Sequence, residues 1–263
     1  MATSGSTAPG NRHAKEALGL WAVYFTVAVL TNGTIPFLLG ANVRAWTVSL
    51  TKDVIVHVAI YAGLFLVVPL LLVKGSKVVL QPAFLVPLLA AVAAIAFRPL
   101  LRASVVVVVA VLAYLHKRFD LSDLGIRSHG WKADAVAVLL VALLNAVPAL
   151  LRPGPGTSEL GQALLAGLDR WFANPASTTE TLFYFGFLTE RLSIKTGRWL
   201  TPLVVGLMYT AHEMTNPEYW YEGMMFGLIF VGVAAIAALY LWRRSAVVLW
   251  LGDGLGKALG KLV

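Results

Sequence analysis

Long apolar segments, separated by short polar or charged connections, run through most of this chain. A helix needs about 20 mostly apolar residues to cross a bilayer. Hydrophobic residues make up 59% of the 263 residues, and Asp, Glu, Lys and Arg together make up 13%, about half the charged fraction of a typical soluble domain. The pattern predicts an all-α, polytopic membrane helix bundle. It excludes a disordered chain and argues against a soluble enzyme.

The apolar runs predict eight or nine transmembrane helices, the number depending on the short fourth run. Residues 1–17 are polar and are expected to form a disordered tail, residues 18–151 to form the N-terminal transmembrane helices, and residues 152–263 to form a C-terminal core. The predicted spans cover 19–40, 54–73, 78–97, 101–116, 134–151, 178–196, 199–213, 223–242 and 245–262.

The connection before the sixth span contains a segment with helical periodicity, residues 158–173. Its apolar side chains fall on one helical face, which predicts an amphipathic helix lying along the membrane surface. That face comprises Leu160, Leu164, Leu165, Leu168 and Trp171.

Basic residues give the chain a net charge of +8, and they concentrate at predicted helix ends rather than in a polar domain. We therefore predict membrane lipid, and no nucleic acid, as a partner. A nine-span count places three basic groups on one side, which the positive-inside rule makes cytoplasmic in a multi-pass protein of the cell membrane. The connection 213–222, with three glutamates and no Lys or Arg, then faces outward. The three groups are Lys117, Arg118, Arg127 and Lys132; Arg191, Lys195 and Arg198; and Arg243 and Arg244.

Ionisable residues within predicted spans are candidates for function because a charge in the bilayer is costly. Glu180 opens one predicted helix and His212 closes the next, so a short link at 196–198 would bring the two side chains to a similar depth. Asp253 lies within the last predicted helix. A carboxylate and an imidazole in a water-accessible cavity can activate a water molecule. The chain has no cysteine, which excludes a thiolate nucleophile.

Each candidate also has a structural interpretation. Ser177 and Glu180 fit a capping box, in which Ser177 caps the helix and Glu180 bonds back to the backbone. Asp253, between two glycines, is compatible with a helix break. His57 is predicted to be a packing histidine. A zincin motif fails because Asn216 stands where a second histidine would follow His212.

Three segments together resemble the CPBP family, which comprises CAAX prenyl proteases and bacteriocin-processing (Abi) proteases of the membrane. Residues 180–186 (ETLFYFG) resemble its E-E-x-x-x-R-G motif, 208–212 (MYTAH) resemble F-x-x-x-H, and 249–253 (LWLGD) resemble H-x-x-x-N or its Asp-ending variant. The polar stretch 119–126 resembles a connection common before this core. The sequence departs from the pattern at three positions, Thr181, Phe185 and Leu249.

The resemblance implies an intramembrane endopeptidase that hydrolyses a peptide bond of a membrane-associated protein or peptide. Glu180 would be the general base, His212 its partner, and residues 152–263 the catalytic core. Asp253 would donate to the oxyanion when protonated, orient His212, or help bind a metal. A divalent metal such as Zn, held by Glu180, His212 and Asp253, is one expectation for the cofactor.

A second interpretation is open because of the three departures from the pattern. In it, the chain is a catalytically degenerate relative that acts as a membrane binding or scaffold protein, and its polar residues serve structure. A small transporter is less favoured, because carriers often show paired repeats and none is evident here.

Overall fold

The structure is a computed structural model. It describes residues 9–34, 55–97, 104–127, 130–151, 160–172, 174–215 and 223–260. Within these ranges the regular elements are helices and no strand occurs, which confirms the all-α prediction. Apart from the short helices Ser76–Val79 and Ser122–Leu124, the first six helices are α1 (Pro9–Val29, followed by a π turn at Leu30–Thr34), α2 (Val56–Lys74, π-helical over Val56–Val67), α3 (Pro82–Ala96), α4 (Ser104–Phe119), α5 (Trp131–Leu151) and α6 (Leu160–Phe172). The last two are α9 (Gly223–Arg243) and α10 (Ala246–Leu259).

Between α6 and α9 the chain forms two helices that meet at a sharp turn. A first helix, α7, comprises Pro175–Glu180, a π-helical stretch Thr181–Thr189, and the residues up to 196. Gly197 breaks the helical backbone with φ 70° and ψ 172°, values that glycine adopts without the strain of a Cβ. The second helix, α8, covers 198–213. The predicted link at 196–198 is therefore confirmed.

Three of the described helices are long and apolar enough to cross a membrane: Arg12–Asn32, Val56–Lys74 and Phe226–Arg243. One shorter apolar helix is Pro82–Ala96. The described helices thus support a membrane protein. The number of candidate spans among them, three, is smaller than the eight or nine that the apolar runs predict.

The N-terminal tail differs from the prediction. Helix α1 begins at Pro9, so residues 9–17 are helical rather than disordered, while residues 1–8 lie outside the described ranges. Ala14 and Ala17 are buried, because this part of α1 packs against the rest of the bundle. Small and polar residues predict a solvated tail, but two alanines one turn apart can face a neighbouring helix, as Ala14 and Ala17 do here.

The three basic groups meet at one end of the bundle, as the sequence predicts. Glu190 lies between two of the arginines, 3.6 Å from Arg127 and 2.6 Å from Arg244. Arg191 donates to Glu16 of α1 at 2.7 Å and to the Leu72 carbonyl oxygen at 3.3 Å. These ion pairs tie the ends of several helices together at this basic end.

The connection after α4 enters the core instead of remaining at the surface. Leu121 and Leu124 are fully buried, and the amide and hydroxyl of Ser122 both donate to Asp120. These hydrogen bonds lower the pKa of the Asp120 carboxyl below its ordinary value. The Leu124 carbonyl lies against Gly186 of α7, where a Cβ would overlap its oxygen.

We expect Gly186→Ala to lower the thermal unfolding temperature of the detergent-solubilised protein. The added Cβ would collide with the Leu124 carbonyl group, and such overpacking costs about 1–3 kcal/mol. The matched control is Gly232→Ala in α9, where no atom lies within 4 Å of an added Cβ. An equal loss of stability in both variants would contradict this account of Gly186.

Glycines also set the position of α10. Added Cβ atoms at Gly252 and Gly256 would lie 2.9 Å from the Val138 carbonyl oxygen and 2.8 Å from that of Ala142. The two glycines are one helical turn apart, and small residues at this spacing let helix backbones approach closely. They pack α10 onto α5. Asp253 follows Gly252 by one residue, and its side chain points towards the interior of the bundle.

Helix α6 forms where the amphipathic segment was predicted, and it packs on α10. Trp171 is buried against Gly254, and its ring lies 4.4 Å from that of Trp250. Leu165 is 70% exposed. The sequence places Trp171 and Leu165 on one apolar face, but in the structure one side chain is buried and the other is exposed. The side chains of the other three leucines lie outside the described part of the structure.

Candidate functional site

A cavity of about 200 Å³ lies between α5, α7, α8, α9 and α10. It contains two carboxyl groups from distant parts of the sequence, Glu180 of α7 and Asp253 of α10. Beside them it has an amine, an amide and hydroxyl groups. The lining residues are Val141, Asn145, Ser177, Glu180, Thr181, Phe185, Tyr209, Val233, Ile236, Leu249, Asp253 and Lys257.

The local geometry of α7 explains which of its side chains enter the cavity. Ser177, Glu180 and Thr181 are spaced by three and four residues and so share one face of an α-helix. From Thr181 the helix is π-helical, and hydrogen bonds in a π-helix join residues five apart. The Thr189 hydroxyl also donates to the Tyr184 carbonyl oxygen, five residues earlier in the chain, at 2.8 Å. The wider turn places Phe185 on the same side as Glu180.

Asp253 is held by two donors in the cavity. The Ser177 hydroxyl and the Lys257 ammonium each donate to Asp253 Oδ2 at 2.6 Å. Lys257 Nζ also lies 3.4 Å from Ser177 Oγ, so the three side chains form one hydrogen-bonded cluster. The helix continues unbroken through Asp253, which rules out the helix break considered from the sequence.

The predicted capping box is wrong. Helix α7 begins at Pro175, two residues before Ser177, and its N-cap residue Asn174 makes no side-chain capping bond. Ser177 lies inside the first turn, where its hydroxyl bonds to Asp253. The S-x-x-E pattern is therefore present without its usual role, because proline starts the helix earlier. Glu180 is free of capping and lies at the cavity, where Tyr61 of α2 approaches its carboxyl group.

His212 lies behind the cavity rather than on its wall. Its Nδ1 is 3.3 Å from the Tyr184 hydroxyl, and the Tyr24 ring meets its ring edge-on at a centroid distance of 5.2 Å. Tyr209 does line the cavity, and its ring centroid is 5.5 Å from that of His212. The structure thus places Glu180 and Asp253 in one cavity, whereas His212 is not among its lining residues and contacts tyrosines instead.

The expected metal site is not supported. In the part of the chain that the structure describes, no group of three or more His, Asp or Glu side chains is arranged to hold a metal ion. Glu180, His212 and Asp253 do not converge, and Lys257 occupies an oxygen of Asp253 that a cation would need. The residues present do not fit a zinc centre, which requires three convergent protein ligands.

The positions where the sequence departs from the CPBP pattern lie in the same cavity. Thr181, Phe185 and Leu249 are all among its lining residues. The two segments that resemble the first and third motifs therefore line one cavity, although they belong to different helices. His57 is buried, with its ring 5.2 Å from that of Tyr61, which agrees with the prediction of a packing histidine.

Sequence reasoning missed Lys257 and Asn145 as cavity residues. Lys257 was detectable, because it follows Asp253 by four residues on one helix and such a pair forms an ion pair on a helix face. Asn145 is a polar residue within an apolar run, which is a weaker signal because amides in membrane helices also serve helix packing.

Comparisons of the chain with family models, with curated proteins and with solved structures find no match. The function proposed below rests on the side chains of the cavity and on the motif segments that supply them.

Proposed function

We propose that this chain is a multi-pass protein of the cell membrane with eight or nine spans, and that it acts as an intramembrane endopeptidase of the CPBP type. The observation that carries the proposal is the meeting of Glu180 and Asp253 in one cavity. They come from the two segments that resemble the first and third motifs of that family. Two partly buried carboxyl groups in one cavity are expected at a site of proton transfer.

Membrane placement is supported by the three apolar helices and by aromatic residues near the basic end of the bundle. Three tryptophans there are more than half exposed, and each lies beneath a neighbouring basic side chain. Exposed tryptophan and basic residues suit the interface between lipid and water. The pairs are Trp131 with Lys132, Trp199 with Arg198, and Trp242 with Arg243.

The proposed reaction is hydrolysis of a peptide bond by water. Glu180 accepts a proton from a water molecule, whose oxygen forms a bond to the carbonyl carbon while the carbonyl electron pair moves to its oxygen. When the carbonyl re-forms, the C–N bond breaks and Glu180 returns the proton to the leaving nitrogen. The substrate is a membrane-associated protein or peptide. His212 acts as a positioning residue, through its bond to Tyr184 and its contact with Tyr209.

The experiment compares membranes from cells that produce the wild-type chain with membranes from cells that produce Glu180→Gln at equal abundance. New protein N termini are identified by mass spectrometry. We expect a set of N termini that depends on wild-type protein and is missing with Glu180→Gln. Identical N termini in both membranes would contradict the endopeptidase.

A catalytically degenerate relative, serving as a binding or scaffold protein, is the second candidate. It is favoured by the side chains at the family's motif positions, since Phe185 and Leu249 carry no ionisable group and Asp253 is bonded to Ser177 and Lys257. In that case cavity variants would change the abundance of the protein and leave the N termini of other proteins unchanged.

The positioning role of His212 gives a separate prediction. We expect His212→Phe and Tyr184→Phe each to lower the turnover number of cleavage about tenfold, because each removes the bond that joins the two side chains. The double variant is expected to lose no more than either single variant, since residues that act through one contact are not additive. Independent, multiplicative losses would show that His212 acts without Tyr184.

A further inference from the structure

The cavity lacks the cationic side chains of the family pattern. Phe185 stands at the position of the motif arginine and Leu249 at that of the motif histidine, and neither can donate a hydrogen bond. An ionised Asp253 can only accept hydrogen bonds. Hydrolysis of a peptide bond nevertheless places negative charge on the former carbonyl oxygen, and a donor is needed there.

Lys257 is the one cationic side chain among the residues that line this cavity. Its side chain is 31% exposed, compared with 21% for Asp253. Nζ has three N–H donors, and the described contacts account for two of them, one to Asp253 Oδ2 and one towards Ser177 Oγ. A third donor is therefore available to a group that enters the cavity.

The position of Lys257 is fixed by its own helix. Gly252 and Gly256 press α10 against α5, and Asp253 and Lys257 each follow one of these glycines by one residue. Because these two residues are one helical turn apart, the packing that turns Asp253 towards the cavity turns Lys257 there as well. The ion pair between Asp253 and Lys257, at 2.6 Å, fixes the direction of the flexible lysine side chain.

We infer that Lys257 is a catalytic residue whose ammonium group donates to the oxyanion of the tetrahedral intermediate. The inference rests on the proposed endopeptidase function. When the water oxygen bonds to the carbonyl carbon and Glu180 takes the proton, the displaced electron pair rests on the carbonyl oxygen beside Lys257. No proton leaves Lys257 in this step. Asp253 and Ser177 hold the ammonium group in place, which gives Asp253 a positioning role that an ionised carboxylate can perform.

The test uses the full-length protein in proteoliposomes and a fluorescence-quenched peptide that spans a cleavage site identified from the wild-type N termini. Turnover number and KM are measured for wild type, Lys257→Met, Lys257→Arg, Glu180→Gln and the double variant Asp253→Asn/Lys257→Met. Methionine keeps an unbranched side chain as far as Cε and removes the ammonium group. The double variant removes both charges of the ion pair, so no unpaired carboxylate remains.

We expect Lys257→Met to lower the turnover number about 10²-fold, the usual loss for one oxyanion donor, with KM within about twofold of wild type. Lys257→Arg, which keeps a cationic donor, should recover at least about a tenth of the wild-type turnover number. The double variant should remain as slow as Lys257→Met, because the missing donor is not replaced.

Wild-type turnover by Lys257→Met would overturn the inference, and so would recovery of turnover in the double variant, which would show that Lys257 only neutralises Asp253. Either result leaves the proposed function standing if Glu180→Gln is inactive. A wild-type turnover number in Glu180→Gln, or the absence of any N terminus that depends on the wild-type chain, would overturn the proposed function and the inference with it.

Discussion

Replacing Glu180 by glutamine is expected to lower the turnover number of peptide cleavage by about 10³- to 10⁴-fold, the upper range for loss of a general base. Glutamine has nearly the same shape as glutamate and cannot accept the proton of the attacking water. KM should change little, since the cavity keeps its form. The measurement is steady-state cleavage of the quenched peptide by reconstituted protein.

Glu16 provides the matched control for this variant. Its side chain is also partly buried, at 23% exposed, but it pairs with Arg191 at the basic end and is not among the residues that line the cavity. We expect Glu16→Gln to keep the wild-type turnover number. Equal losses in the two variants would mean that loss of a partly buried carboxylate, rather than contact with the cavity, underlies the effect of Glu180.

The second large effect is expected at the basic end of the bundle. Glu190 accepts a hydrogen bond from the Tyr240 hydroxyl at 2.9 Å and pairs with Arg127 and Arg244. Its side chain is 13% exposed. Glu190→Gln leaves the two arginines without their counter-ion, and we expect the free energy of unfolding to fall by about 2–3 kcal/mol. This value lies below the 3–5 kcal/mol of a fully buried pair, because Arg244 is partly exposed.

The loss should appear as a thermal unfolding temperature lowered by about 5–10 °C in detergent. Asp123→Asn is the control, because Asp123 lies 4.0 Å from Lys74 and its side chain is 71% exposed. Exposed ion pairs contribute about 0–1 kcal/mol, so this variant should unfold close to the wild-type temperature. A Glu190→Gln protein as stable as Asp123→Asn would contradict the structural role of Glu190.

The order of the helices could be predicted from the sequence because each apolar run is bounded by proline, glycine or charge. The turn at Gly197 and the clustering of basic residues at one end followed from the same boundaries. The start of α1 was less predictable. Residues 9–17 are polar on average, and the two buried alanines contribute little to a hydropathy pattern.

The site could be predicted in part. Glu180 and Asp253 were identified as ionisable residues within apolar runs, and they do meet. The bond of Ser177 to Asp253 could not be foreseen, because Ser177 and Glu180 also satisfy a local capping pattern and the competing partner belongs to a distant helix. The tyrosines that contact His212 belong to three helices, with Tyr24 in α1, Tyr184 in α7 and Tyr209 in α8. No local pattern in the sequence predicts these contacts.

The π-helical stretch of α7 has a consequence for how the two ends of this helix relate to each other. Each wide turn holds an extra residue, which offsets the rotational phase of Ser177 and Glu180 from that of Glu190 and Arg191. If the same residues closed into an ordinary α-helix, in which each residue turns the chain by about 100°, one end would rotate relative to the other. The carboxyl group would then leave the cavity while the arginine contacts stayed in place. The rotation of Glu180 about the helix axis, relative to the ion pairs of Glu190 and Arg191, is therefore set by Thr181–Thr189. It is independent of the length of the helix.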